Sequence, residues 1–126
     1  DGGIDGLIFF QDEKADAKKI VVSVKGGESV GLTMLKDLIA TVDSNKAQIG
    51  LFVSLAEPSK PMIAEAAKAG YYDSPVGASF PKIQILTIKG LLEGTERPGY
   101  PDLSRGGHTF KKAKKEEPSV EQKSLF

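Results

Sequence analysis

Gly6-Leu7-Ile8-Phe9-Phe10-Gln11 and Lys19-Ile20-Val21-Val22-Ser23-Val24-Lys25 are the two stretches that decide the fold. The first is a short apolar run, and the second is rich in β-branched residues, which suit a pleated strand. Only a short charged segment, residues 12–16, separates them. A connection that short leaves an antiparallel pair as the arrangement, since parallel neighbours need a crossover of a dozen or more residues. Gly26-Gly27 ends the second strand.

Working outward, Leu32, Leu35, Leu38, Ile39 and Val42 recur at helical spacing. They predict a helix opening at Glu28 or Ser29 and running to about Val42. Residues 48–55, with the apolar centre Ile49-Gly50-Leu51-Phe52-Val53, predict the next strand. Strand, helix, strand implies a right-handed parallel crossover. Ser59 is a good N-cap with Pro61 in the first turn, and Gly70 ends the helix that follows. Residues 71–80 read as a loop around Pro75 and Gly77, residues 82–87 as a last strand, and residues 88–92 as a short helix ended by Gly94. The fold class is α/β, a mixed central sheet flanked by helices. The expected organisation is one domain over residues 1–94, a connecting loop over 95–103 and a flexible, charge-rich tail over 104–126.

Composition narrows the function. The 126 residues carry 17 Lys plus Arg and 17 Asp plus Glu, so no global charge draws the chain to nucleic acid. DNA contact would have to come from a local patch. With no cysteine, disulfides and thiolate metal sites are excluded, and a reducing, cytoplasmic compartment fits. No apolar run approaches the ~20 residues that span a bilayer. His108 stands alone, which does not make a metal site.

The residues that suggest chemistry are Asp5, Ser23 and Lys25. Side chains alternate along a strand. Ile20, Val22 and Val24 are therefore expected to face the core, with Val21, Ser23 and Lys25 on the other face. That places an ammonium at a strand end, where Asp5 at the head of the neighbouring strand is its expected partner. An acid beside a lysine suits a hard cation and an attacking water. The same residues also suit plain structural roles: Asp5 steadying a glycine-rich turn, Lys25 a solvated strand end. Lys36 on the first long helix and Lys60 at the start of the second are candidate DNA contacts. A solvated helix face and ordinary capping by Ser59 account for them as well.

The sequence Gly2-Gly3-Ile4-Asp5-Gly6-Leu7-Ile8, a short gap, then Val21-Val22-Ser23-Val24-Lys25 resembles the central motif of the PD-(D/E)XK nuclease superfamily, nearest to its Mrr-like restriction endonuclease branch. The helix, the strand with Gly50-Leu51-Phe52-Val53 and the helix ending Ala69-Gly70-Tyr71 fit the same order. The resemblance implies a Mg2+- or Mn2+-dependent DNA endonuclease in a restriction-modification setting. Asp5 and the Val24 carbonyl would then bind metal, and Lys25 would assist the water. Ser23 departs from the pattern, standing where that superfamily has Glu or Gln. The superfamily's first helix and strand would lie upstream of Asp1, so the chain reads as part of something longer. These departures raise an alternative: a catalytically degenerate DNA- or partner-binding domain, attached to a DNA methyltransferase as domains of this look can be. Glu28 is a weak substitute carboxylate. Finally, Gln122-Lys123-Ser124-Leu125-Phe126 resembles the peptide that docks on the bacterial sliding clamp, with Gln122, Leu125 and Phe126 matching and Lys123 departing from it.

Overall fold

A computed structural model describes residues 4–11, 17–75 and 77–101. The first two strands pair as expected. β1 (Gly6–Phe10) runs antiparallel to β2 (Lys18–Lys25), with Gly6 opposite Val22 and Phe10 opposite Lys18. α1 (Leu32–Ser44) crosses over to β3 (Ile49–Ser54), which lies parallel to β2. α2 (Lys60–Lys68) then leads to a small hairpin, β4 (Tyr71–Asp73) and β5 (Ser79–Pro81). β6 (Ile83–Thr87) pairs parallel to β3, and α3 (Ile88–Glu93) follows it. The main sheet has four strands in the order β1-β2-β3-β6. It is the mixed sheet flanked by helices that the sequence implies.

Local chemistry sets the boundaries. Ser59 caps α2, its hydroxyl accepting the Met62 amide at 3.4 Å, with Pro61 in the first turn. α1 begins later than its glutamate and serine suggest. Its cap is Gly31, which has no side chain to bond the first free amides. α3 stops at Gly94, whose φ of 80° is the left-handed conformation that favours glycine. The hairpin over residues 71–81 was expected as a loop. Its strands are three residues each, too short for an alternating pattern to emerge between Pro75 and Pro81.

Both faces of the sheet are covered, and this corrects the expected assignment of β2. Val21, Phe52 and Ile83 face α1 and α2, packing on Leu35, Leu38, Val42, Met62 and Ala66. Ile20, Leu51, Val53 and Leu86 face the opposite side, beneath Tyr72, Phe80, Leu91 and Tyr100. Val21 and Ser23 are therefore core residues, and Val24, expected in the core, is 45% exposed. Strands in a parallel sheet covered on both faces lose their inside-outside alternation. Gly50 marks how closely α1 presses on β3, because a Cβ there would lie 2.5 Å from Val42 Cγ2.

Candidate functional site

The parallel strands β2, β3 and β6 end in line. Lys25 pairs with Ser54, and Ser54 with Thr87. β1 begins at this same edge, and the loops to α1 and α2 leave from it. In open α/β sheets, ligands bind outside the carboxyl ends of the strands. This edge is therefore the place to look for function, and it gathers Asp5, Ser23, Val24, Lys25 and Lys60.

Asp5 is tied to β2 by two bonds. Its amide donates to the Val22 carbonyl at 2.8 Å, and its Oδ2 accepts the Val24 amide at 2.8 Å. Gly6 is the Cα partner of Val22, so Asp5 and Gly6 together oppose one residue, as in a β-bulge. The Val24 amide projects past the end of β1, where a regular ladder offers no carbonyl. The Asp5 carboxylate fills that vacancy in the ladder. Ile4, just before it, packs into the helix-covered core.

Ser23 is 4% exposed and lies in the α1-covered layer, directly beside Phe52 in β3. A small hydroxyl fits there under the helix. Lys25 is half-buried at the strand end, and no ion pair joins it to Asp5 among the described residues. Lys36 on α1 and Lys60 at the first position of α2 are both exposed. Glu28 is exposed in the loop after β2. Residues 122–126, with Gln122, Leu125 and Phe126, and His108 lie outside the described residues.

Two polar residues in line with Lys25 escaped the sequence reading. The Ser54 hydroxyl, fully buried, donates to the Ala56 carbonyl at 2.7 Å. Thr87 caps α3: its Oγ1 accepts the Gly90 amide at 2.9 Å, while its own amide donates to Glu96 Oε1 at 2.6 Å. Both side chains serve the turns that leave the sheet. The only signal in the sequence was their place at the last position of an apolar strand, which tertiary register alone brings level with Lys25.

Mg2+ demands oxygen ligands in near-octahedral geometry, commonly more than one of them carboxylate or phosphate. The described residues hold no group of three or more His, Asp or Glu arranged for a metal. Of the carboxylates at the edge, Asp5 accepts the Val24 amide through Oδ2, and Glu96 accepts the Thr87 amide through Oε1. Ser23 offers a buried hydroxyl where a second carboxylate would be required. This donor set does not fit a Mg2+ or Mn2+ centre. No helix of the described residues is long and apolar enough to cross a membrane.

No curated protein and no solved structure matches the chain. A family model does: that of NACHT-associated inactive Restriction Endonuclease 1, over residues 1–92. The match bears out the restriction-endonuclease-like character expected from the Asp5-to-Lys25 motif, without reaching the Mrr-like branch. It covers all of β1 to β6 and nearly all of α3. The chain thus belongs to the NACHT-associated inactive restriction endonuclease 1 family.

Proposed function

We propose that this domain keeps the nuclease scaffold as a DNA-binding module and does not cut phosphodiester bonds. One observation carries the reading: the Asp5 carboxylate, the group that would hold a metal in an active relative, is engaged by the Val24 amide. The family description as inactive supports it. Lys25, Lys36 and Lys60 are the side chains we assign to phosphate contact, as cations on or near the strand-end edge. The Mrr-like branch is the proposed ancestry. The name of the family favours a NACHT protein as the context, with a DNA methyltransferase as the alternative context.

Such binding is electrostatic and weak, because the chain carries no net charge. The test is fluorescence anisotropy of a labelled duplex at low salt, with a parallel cleavage assay in Mg2+ and Mn2+. Affinity should fall as salt rises, and the triple variant Lys25→Ala, Lys36→Ala, Lys60→Ala should bind several-fold more weakly. The duplex should stay intact. Cleavage abolished by Lys25→Ala would restore the Mg2+-dependent endonuclease reading, and absence of binding at low salt would remove DNA as the ligand.

A second reading rests on Val24 and Leu55, which are 45% and 55% exposed beside Lys25. An apolar pair at the ligand-binding edge favours a protein surface over a phosphate backbone. A Val24→Asp, Leu55→Asp variant that leaves DNA affinity unchanged while weakening capture by the rest of the parent protein would support it.

A further inference from the structure

The edge at which the parallel strands begin carries its own set of cations. Lys19 lies level with Gln48 at the head of β3: its carbonyl accepts the Gln48 amide at 3.0 Å, and its amide donates to Gln48 Oε1 at 2.9 Å. On the other side of β3, the Lys82 carbonyl accepts the Gly50 amide at 2.8 Å. Neighbouring strands lie ~4.8 Å apart, so the backbones of Lys19 and Lys82 are roughly 10 Å from each other. Lys46 stands in the turn that leads into the strand between them. Lys46 is exposed, and Lys19 and Lys82 are half-buried. Among the described residues none of the three is ion-paired. The last acids of α1 and α2 are Asp43 and Glu65, and Glu65 already pairs with Lys68 at 3.3 Å. Asp12, Glu13 and Asp16, between β1 and β2, lie outside the described residues, and β2 and β3 separate that connection from Lys82.

Lys46 is the informative member. α1 closes with the Ala47 amide on the Val42 carbonyl at 2.9 Å and the Lys46 amide on the Asp43 carbonyl at 3.1 Å, the Schellman arrangement. The left-handed residue of that motif is usually glycine. Here it is Lys46, with φ 55°, the one non-glycine residue with positive φ among the described residues. A side chain in that conformation costs stability. Capping does not require the ammonium, because the final carbonyls already have donors: the Thr41 carbonyl accepts the Asn45 amide at 3.0 Å and Asn45 Nδ2 at 2.8 Å. A backbone held in a disfavoured region points to function when local structure does not demand the residue. We infer that Lys46, Lys82 and Lys19 form a second surface for the phosphate backbone of a nucleic acid, at the edge opposite Lys25 and Lys60. β3 has six residues, so about 20 Å separates the two edges, and the two surfaces act independently. Binding through a few lysines is weak and salt-dependent.

An amide-resolved NMR titration of the 126-residue chain with a short DNA duplex at low salt separates the two edges. The expected result is shifts at Lys19, Lys46, Ala47, Gln48 and Lys82, whether or not Lys25 and Lys60 respond. Affinity is then measured in the Lys25→Ala, Lys36→Ala, Lys60→Ala background, where the carboxyl edge no longer contributes. Adding Lys46→Gly relieves the left-handed strain, so it should raise Tm by a few degrees while weakening binding several-fold. Adding Lys82→Ala as well should make the slope of log affinity against log salt shallower, by about one per lysine removed. No shift at Lys46 and Lys82 with duplex in excess overturns the inference and leaves the carboxyl-edge reading to stand or fall on Lys25. Shifts that persist after both substitutions, or an unchanged salt slope, overturn it too.

Discussion

Asp5 shows how one residue can keep its position and change its task. At the head of β1 it could have left two carboxylate oxygens open to a cation. Instead Oδ2 closes the β1–β2 ladder on Val24. A bond from a charged acceptor to an amide contributes on the order of 1 kcal/mol, less where water competes. Asp5→Ala should therefore lower stability by about 1 kcal/mol in denaturant titration and speed exchange of the Val24 amide more than that of Val22. An unchanged Val24 exchange rate would show that the carboxylate has no structural task. Ser23 makes a related point. It stands where the superfamily has Glu or Gln, on the same sheet face as Val21 and Lys25, and there it is buried between strand and helix. A Glu at that position would have to bring a charge under α1, a costly placement without a partner.

At the scale of elements, the two helices that cover the sheet are anchored unequally. α2 has the serine cap and proline that define a helix start. α1 starts at Gly31, with extended backbone and open space where a Cβ would lie. Aspartate at such a position bonds the free first-turn amides and favours the helix dipole. Gly31→Asp should then raise stability by about 0.5–1 kcal/mol, read as a higher Tm, with part of the gain from a stiffer unfolded chain. A lower Tm would mean that this turn needs glycine for a reason other than capping. Because α1 leans on β3 through Gly50, its anchoring is felt in the sheet as well as in the helix.

For the whole molecule, the second covering layer is the part that local reading undervalues. Residues 95–101 form no helix or strand, yet Gln84 holds them to the sheet. Its side chain accepts the Gly99 amide at 2.8 Å and donates to the Gly99 and Pro81 carbonyls at 2.8 and 2.9 Å. Tyr100 then packs against Phe10, ring centroids 5.7 Å apart, while Tyr72 meets Phe10 edge-on at 5.9 Å. Gln84→Ala would leave buried polar groups unpaired and should cost about 2–3 kcal/mol, with the Tyr100 and Tyr72 ring signals losing their dispersion in NMR spectra. Retained dispersion would show that the segment is held without Gln84.

The sequence by itself determined the strands and helices of the main sheet, their order, the antiparallel start and the parallel crossover. These follow from local periodicity, short connections and turn chemistry between Gly6 and Gly94. It also carried the motif that places the chain among restriction-endonuclease-like domains. Only the tertiary structure decided which faces of β2 are covered, that Asp5 closes a ladder, that Ser54 and Thr87 stand level with Lys25, and that Gln84 binds a distant glycine. The physical reason is range. Propensity and pattern act over a few neighbouring residues, whereas burial and register are set by segments that meet only after the chain has folded.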